Sequence, residues 1–357
     1  MTWLRPASSL YSAAVTWRRQ WYTSHPSRQR RLSQPVISVG NLRAGGSGKT
    51  PIVESLARLL AAQGERPAIL TRGHARRAAA DGVTVVSDGD AILVDVERAG
   101  DEPLMLARHL PRVPVLVGRD RYLSGLLAER RFRTTVHILD DGFQHLALAR
   151  DIDLLVVDTQ DLADDVLPAG RLREPVTAAS MADALLISGS QEVQNLVRDF
   201  NVARAFRVDR RLQSVRWIVS GNEAGVAGRE AVVAFAAVAR PERFFEDLAS
   251  AHWRVVATLT FPDHHWFNNG DLESIARRAR EAGAKALLTT EKDAARLESC
   301  DLSRLQLPVG AIPLTAIIEP ADAFRTWLFE RLGTHPARRT SHPAPHVAPR
   351  SPHSALQ

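Results

Sequence analysis

A glycine-rich loop between an apolar run and a helical pattern constrains this chain more than any other feature. The β-branched run at residues 36–39 leads into the loop, and apolar residues recur at helical spacing after Pro51. Glycines let backbone N–H groups turn toward an anion, and the N-terminus of a following helix adds partial positive charge. The order of strand, loop and helix therefore predicts a nucleoside triphosphate site. The predicted phosphate-binding residues are Arg43, Ala44, Gly45, Gly46, Ser47, Gly48, Lys49 and Thr50.

Two residues of this loop have predicted chemical roles of their own. Lys49 would reach the terminal phosphates of the nucleotide, and the Thr50 hydroxyl would bind Mg²⁺. The loop departs from the usual G-x-x-x-x-G-K-[ST] pattern, because Arg43 stands at the position of the first glycine. The resulting Gly-Gly-Ser-Gly-Lys-Thr spacing is also typical of partition-type ATPases. An alternative hypothesis is therefore a switch or partition-type ATPase that acts on a protein or nucleic-acid partner.

Composition and charge restrict the class of protein. The 357 residues allow two domains with sizeable cores, and 45% of them are hydrophobic. The net charge of +6 favours an anionic partner, such as a phosphorylated substrate, an acidic membrane surface or nucleic acid. The longest apolar run, residues 231–239, is too short for a membrane-spanning helix, and residues 1–34 lack the apolar core of a signal peptide. The single cysteine, Cys300, fits a reducing compartment.

The two ends of the chain differ from its middle in composition. Residues 1–34 interleave large aromatic side chains with arginines, a mixture that suits the headgroup boundary of a membrane. The same pattern fits an amphipathic helix that packs on its own domain, so both interpretations stay open. Residues 335–357 hold almost no large apolar side chain, which predicts a disordered tail.

From residue 35 onward, short apolar runs alternate with helical patterns. Strands are predicted at residues 67–71, 136–140 and 153–158. Repeated βα units predict an α/β fold like that of P-loop NTPases, with a mostly parallel sheet that binds ligands at the carboxyl ends of its strands. A smaller α/β domain is predicted to follow through a β-ribbon linker. The predicted division is a P-loop domain at 35–202, a linker at 203–222 and the smaller domain at 223–334.

Carboxylates and histidines supply candidate metal ligands and a candidate base. Asp140 and Asp141 end an apolar run, where a P-loop protein carries the acid that holds Mg²⁺. Asp101, in Gly-Asp-Glu-Pro, would accept a proton from an alcohol, although its spacing also fits capping of the next helix. His264, with His265 beside it, would act as a base or as the partner of a carboxylate. A zinc site is not expected, because no further Cys or His lies at metal-ligand spacing.

Two further segments have open interpretations. In the loop at residues 167–175, Arg171 and Arg173 would hold an anionic substrate with Glu174 near the metal; a solvated charged turn is the alternative. Residues 289–293, Thr-Thr-Glu-Lys-Asp, follow a predicted strand, where ligands gather in α/β sheets. Helix capping explains that segment equally well.

Taken in order, these segments resemble one family, the tetraacyldisaccharide 4′-kinases that act on the lipid A precursor of Gram-negative bacteria. The resemblance covers about residues 35–330, and the ordered set is more specific than any single motif. The motifs that carry it are Val-Gly-Asn-Leu (39–42), Ala-Gly-Gly-Ser-Gly-Lys-Thr-Pro (44–51), Thr-Arg-Gly (71–73), Gly-Asp-Glu-Pro (100–103), Asp-Asp-Gly-Phe-Gln-His (140–145), Leu-Pro-Ala-Gly-Arg-Leu-Arg-Glu-Pro (167–175), Arg-Pro-Glu-Arg-Phe-Phe (240–245), Phe-Pro-Asp-His-His (261–265) and Thr-Glu-Lys-Asp-Ala (290–294).

The resemblance implies an ATP- and Mg²⁺-dependent kinase. Its substrate would be the 4′-hydroxyl of a tetraacylated glucosamine disaccharide 1-phosphate. It further implies peripheral association with the cytoplasmic face of the inner membrane. No nucleic-acid partner is expected, because the aromatic residues are not arranged as a base-stacking platform.

The resemblance also implies roles for individual residues. Asp101 and His264 would form a base dyad beside Lys49. The family pattern is interrupted after Gly73, where residues 74–77 replace a Tyr-Gly-Gly-like stretch. The implied metal ligands are Thr50, Asp140, Asp141 and Glu174. The implied substrate-binding residues are Arg72, Gln144, His145, Arg171 and Arg173.

Overall fold

The computed structural model describes residues 4–45, 48–73, 76–78, 81–158, 164–188, 200–219 and 230–335. Predictions for Gly46, Ser47 and residues 336–357 lie outside these ranges. The helices are α1 (Arg5–Ser24), α2 (Lys49–Ala62), α3 (Val96–Ala99), α4 (Asp101–His109), α5 (Arg121–Phe132), α6 (Pro241–Ser250), α7 (Asn269–Glu281), α8 (Glu291–Leu297) and α9 (Ala321–Gly333). The strands are β1 (Val36–Asn41), β2 (Pro67–Thr71), β3 (Val83–Ser87), β4 (Val115–Gly118), β5 (Val136–Asp140), β6 (Ile152–Asp158), β7 (Ala184–Ser188), β8 (Ala205–Leu212), β9 (Arg216–Val219), β10 (Ala231–Ala236), β11 (Arg254–Thr260), β12 (Ala286–Thr290), β13 (Val309–Ile312) and β14 (Leu314–Glu319).

Nine of the described strands form one large sheet in the order β14-β8-β7-β6-β1-β5-β2-β4-β3. All pairs from β8 to β4 are parallel, whereas β14 and β3 run antiparallel to their neighbours at the two edges. Strands β1, β5 and β6 are buried along their whole length, as expected for parallel strands that are covered on both faces. The predicted α/β fold with a mostly parallel sheet is confirmed.

The centre of this sheet brings the predicted nucleotide site together. Strand β1 lies between β5 and β6, and Val39 is in register with Asp140. Helix α2 follows β1 and packs into the core through Ile52, Val53 and Leu56. Because neighbouring parallel strands end at the same edge, the glycine-rich loop and the paired aspartates become neighbours.

A second sheet of five described strands forms the core of the smaller domain, in the order β11-β10-β12-β13-β9. Only its edge strand β9 is antiparallel to its neighbour. Phe235, Phe267, Leu272 and Ile275 belong to its buried cluster. The loop after β11 and the start of α8 face α4 of the larger domain.

The ribbon between the domains is built from strands that are distant in sequence. Strand β8 lies within the predicted linker and pairs antiparallel with β14, while β9 pairs with β13 in the smaller sheet. The division at 223–334 needs a correction, because β14 and α9 return to the larger sheet. Phe324 of α9 lies against Phe206 of β8 with ring centroids 5.0 Å apart, so α9 packs on the core of the larger domain.

Among the helices given above, not one combines the length and the hydropathy that crossing a bilayer demands.

Candidate active site

The phosphate loop lies where β1 ends and α2 begins. Lys49, the first residue of α2, donates from Nζ to Asn41 Oδ1 at 2.8 Å and lies 3.1 Å from Asp141 Oδ1. Gly45 and Gly48 have φ values of +96° and +73°, which residues with a Cβ rarely adopt. The described part of the loop therefore has the backbone that a phosphate cradle requires, and its lysine points to the paired aspartates.

Asp140 and Asp141 have different partners although they are neighbours in sequence. Thr71 Oγ1 donates to Asp140 Oδ2 at 3.2 Å, inside the protein. Arg173 donates from both terminal nitrogens to the two oxygens of Asp141, each at 2.8 Å. Together with Lys49, this guanidinium encloses Asp141 between two cations.

These surroundings shift the pKa values of the two aspartates in opposite directions. Burial, followed by the negative charges of Glu102 and Asp141, raises the pKa of Asp140 to about 7. Burial also acts to raise the pKa of Asp141, but the charge of Lys49 and the hydrogen bond from Arg173 lower it well below its usual range. Burial thus holds the Asp140 carboxyl partly protonated at neutral pH, and a divalent cation beside it would favour the ionised form.

Asp101 and His264 meet across the boundary between the two domains. Asp101 is the first residue of α4, and His264 follows β11. His264 Nδ1 lies 3.0 Å from Asp101 Oδ2, and an Arg296 nitrogen lies 3.2 Å from the same oxygen. The two predicted dyad residues are therefore in hydrogen-bonding contact.

The contact between Asp101 and His264 changes both pKa values. The hydrogen bond to Asp101 raises the pKa of His264. Burial acts to raise the pKa of Asp101, but the His264 hydrogen bond and the charges of His264 and Arg296 lower it to about 2. The carboxylate consequently stays ionised through the neutral pH range.

Three charged residues, whose roles the sequence alone does not predict, lie beside this dyad. Lys292 of α8 forms an ion pair with Glu102 of α4, and Arg296 of α8 binds the dyad carboxylate. The segment that holds Lys292 was marked as a ligand site or a helix cap, and capping does occur. Thr290 Oγ1 accepts a hydrogen bond from the backbone N–H of Asp293 at 3.2 Å. The partners of Lys292 were not predictable, because they lie in the other domain.

The loop that contains Arg171 and Arg173 forms hydrogen bonds with the start of the phosphate loop and with the end of β1. The backbone N–H of Ala44 donates to the Arg171 carbonyl at 2.8 Å. The Arg173 guanidinium and the Gln144 amide both donate to the Asn41 carbonyl, at 3.1 and 3.0 Å. Arg173 and Gln144 thus hold the end of β1 in place, and their roles in substrate binding stay predictions.

Arg72 and His145 lie near a buried cation that sequence analysis missed, Arg121 of α5. Burial lowers the pKa of Arg121, the charge of Arg72 lowers it further, and Asp141 and Asp140 act in the opposite direction. Burial and then the charge of Arg121 lower the pKa of His145 to about 4, so this imidazole is neutral at neutral pH. An arginine in the first turn of a helix has no local signal that would have marked it.

Glu174 lies in a different setting from the one predicted for a metal ligand. Its two carboxylate oxygens accept hydrogen bonds from Arg19 of α1, at 2.5 and 2.8 Å, and both side chains are buried. Arg19 also donates to the Phe143 carbonyl at 2.9 Å. Within the described ranges, no group of three or more His, Cys, Asp and Glu side chains is arranged to hold a metal ion. Glu174 therefore anchors α1 to the domain, and its role as a metal ligand stays a prediction.

Comparison with known proteins gives one consistent result. A family model described as Tetraacyldisaccharide-1-P 4′-kinase matches residues 1–333. A tetraacyldisaccharide 4′-kinase of Desulfotalea psychrophila is 39% identical over 89% of this chain and 93% of the relative. One from Syntrophus aciditrophicus is 37% identical over 91% of both chains. A crystal structure of LpxK from Aquifex aeolicus in complex with ATP has a TM-score of 0.73 at 32% identity, and covers 93% of this chain and 99% of that one.

Proposed function

This chain belongs to the tetraacyldisaccharide 4′-kinase family, and we propose that its Asp101–His264 pair receives the proton of the 4′-hydroxyl during transfer of the γ-phosphoryl group of ATP. The protein is a kinase of lipid A biosynthesis that phosphorylates the 4′-hydroxyl of a tetraacyldisaccharide 1-phosphate. The observation that supports the proposed role of the pair is the contact of 3.0 Å between His264 Nδ1 and Asp101 Oδ2. This contact lies at the start of α4, where the larger domain meets the smaller one.

The phosphate loop and the Asp101–His264 pair would have separate roles in the reaction. Backbone N–H groups of the loop and the Lys49 ammonium would bind the phosphates. The O–H bond of the acceptor breaks and its proton passes to the Asp101–His264 pair. At the same time the acceptor oxygen bonds to the γ-phosphorus, and the bridging oxygen leaves with ADP. The low pKa of Asp101 keeps its carboxylate available as an acceptor.

The oxygen atoms of the side chains at this site are of the kind that binds Mg²⁺. Thr50 is buried at the start of α2, and Asp140 is buried at the end of β5, next to Asp141. Thr50, Asp140 and Asp141 are the residues that would hold the ion. A bound Mg²⁺ would supply charge neutralisation for the phosphate oxygens.

Helix α1 supports peripheral association with the cytoplasmic face of the inner membrane. It docks through polar side chains, since Arg19 binds Glu174 and Ser8 Oγ accepts from the Ala169 N–H at 3.0 Å. Two of its large apolar residues face outward, with Leu10 75% and Trp17 66% exposed. A helix that presents leucine and tryptophan beside arginines suits the headgroup boundary, where a lipid substrate resides.

The alternative of a partition-type ATPase does not account for these features. Such a switch does not need a proton-accepting Asp–His pair between two domains. It also does not need a helix with an exposed apolar face. The match of the family model over residues 1–333 covers both domains and α1. The kinase therefore accounts for more of the chain.

The substitution Asp101→Asn tests the proposed base. We expect kcat for phosphoryl transfer to a lipid disaccharide 1-phosphate to fall on the order of 100- to 10,000-fold, because the amide cannot accept the proton. The dissociation constant of ATP, measured by calorimetry, should stay within about threefold of the wild-type value, since the phosphate loop is untouched. Transfer at a near wild-type rate would refute the role of Asp101.

A further inference from the structure

Lysine is rare in this chain, and its positions are informative. Of the 46 Lys and Arg residues, three are lysines, at positions 49, 285 and 292, and arginine fills the other 43. Lysine carries a compact charge with rotatable donors, whereas arginine presents a planar fork. In a chain that uses arginine so widely, a buried or half-buried lysine indicates a site that needs the compact ammonium. Lys49 is such a residue in the phosphate loop, and Lys285 is exposed in the loop before β12.

Lys292 lies beside the proposed base. It forms an ion pair with Glu102, the residue that follows Asp101 in α4. The side chains of Lys292 and Glu102 are 24% and 29% exposed, so the pair borders open space. Arg296, one turn further along α8, lies 3.2 Å from Asp101 Oδ2. Helix α8 thus aligns Lys292 with the reacting end of α4.

Burial acts to raise the pKa of Glu102, but the positive charges of Lys292 and Lys49, which belong to different domains, both lower it. Glu102 forms its ion pair with Lys292 of the smaller domain, whereas Asp141 lies 3.1 Å from Lys49 Nζ of the larger domain.

We propose that Lys292 is a catalytic residue that binds the γ-phosphate of the nucleotide. When the nucleotide is bound, the Lys292 ammonium leaves the Glu102 carboxylate and binds an oxygen of the γ-phosphate. The inference rests on the proposed kinase function and adds a phosphate contact from the second domain. During transfer the γ-phosphorus separates from ADP and bonds to the acceptor oxygen, while the proton passes to the Asp101–His264 pair. Lys49 and Lys292 neutralise the γ-phosphoryl oxygens from two sides, which stabilises the charge that develops in the transition state.

Nucleotide discrimination tests this contact without reference to catalysis. The probes are ADP and a non-hydrolysable ATP analogue, titrated with Mg²⁺ into the full-length protein in a calorimeter. In Lys292→Met we expect the analogue to bind about tenfold more weakly and ADP to bind within about twofold of wild type, because only the γ-phosphate loses a partner. The value of kcat should fall on the order of 100-fold. Lys285→Met is the matched control and should behave like the wild type.

A double variant distinguishes two possible roles of Lys292: binding the γ-phosphate, or only neutralising the charge of Glu102. If Lys292 only compensates that carboxylate, then Glu102→Gln combined with Lys292→Met restores kcat and overturns the proposal. We expect the double variant to stay impaired, and Lys292→Arg to recover part of the analogue affinity. The double variant leaves no unpaired charge at this site, so it remains informative if Lys292→Met alone misfolds.

The outcomes also separate this inference from the proposed base. Equal weakening of ADP and analogue binding in Lys292→Met, or unchanged binding of both, would overturn the role of Lys292. Neither nucleotide titration involves the lipid acceptor or the proton acceptor. An active Asp101→Asn enzyme would therefore refute the base while leaving the binding result for Lys292 intact.

Discussion

Close packing at Gly40 couples the phosphate loop to the paired aspartates. A Cβ at this position would lie 2.4 Å from Phe143 Cβ and 2.7 Å from the Phe143 backbone nitrogen. Gly40 immediately precedes Asn41, the partner of Lys49, and Phe143 follows Asp141 by two residues. The contact between Gly40 and Phe143 thus sets the spacing between the strand ends that carry the site.

The substitution Gly40→Ala should therefore impair both stability and nucleotide binding. The methyl group meets backbone, which cannot turn away as the tip of a side chain can, so we expect a loss of about 1–3 kcal/mol in the free energy of unfolding. Urea denaturation measures this loss, and calorimetry should show weaker ATP binding. Gly333→Ala is the control, since no atom lies within 4 Å of the added methyl group. Equal stability of the two variants would contradict the packing argument.

At the scale of elements, α1 combines a polar docking face with an apolar outer face. Its buried residues are Ser8 and Arg19, the reverse of a helix that docks by burying apolar side chains. Leu10 and Trp17 are seven residues apart, about two helical turns, and therefore lie on one face. The two interpretations left open for residues 1–34 prove compatible, because the helix packs on its domain and still exposes an apolar stripe.

The double substitution Leu10→Glu with Trp17→Glu tests the proposed membrane contact. Replacing two exposed apolar side chains by acids should lower partitioning onto vesicles with anionic lipids on the order of 10- to 100-fold. ATP binding should not change, because both side chains are exposed on α1 and belong to no part of the phosphate loop. Sedimentation with vesicles measures partitioning, with Leu93→Glu at another exposed apolar position as the control. Undiminished vesicle binding would argue against the lipid-facing stripe.

At the scale of the whole molecule, the two domains are joined by charged contacts as well as by the ribbon. His109 at the end of α4 lies between two carboxylates, with Nδ1 2.9 Å from Glu54 of α2 and Nε2 3.0 Å from Glu291 of α8. Arg58 also binds Glu54, and Arg216 lies 3.9 Å from Glu291. The hydrogen bonds from His109 to Glu291 and Glu54 raise its pKa to about 9, so a cation joins the domains at neutral pH.

Stability should depend on pH through this histidine. Because the pKa of His109 is raised on folding, its contribution is fully present below about pH 6.5 and is lost as pH rises through about 9. After allowance for solvent screening, His109→Gln should lower the free energy of unfolding by roughly 1–2 kcal/mol at pH 6.5. The difference from wild type should shrink above pH 9.

Thermal or urea unfolding at several pH values measures that difference. The control is His252→Asn, since His252 is exposed and asparagine tolerates its positive φ of 63°. A difference between His109→Gln and wild type that does not change with pH would show that His109 contributes packing rather than charge.

The sequence by itself determined the features that depend on local spacing. The strand at residues 67–71, the strand that ends at Asp140 and the helix that begins at Lys49 all follow from apolar periodicity and glycine placement. These signals are short-range, since a strand or phosphate loop needs only neighbouring residues to be recognised. The pairing of Asp101 with His264 was reached only through the family resemblance.

The tertiary structure decided which charged residues meet. Lys292 and Glu102 are 190 residues apart, and Arg19 and Glu174 are 155 apart. No spacing rule connects such positions, because their distance is set by how helices and sheets pack. For this reason the sequence alone predicts neither the ion pair of Arg19 with Glu174 nor that of Lys292 with Glu102, and it places β14 in the smaller domain rather than in the larger sheet. The partners of these residues are determined by how the helices and sheets pack together, which the periodicity of apolar residues in the sequence does not reveal.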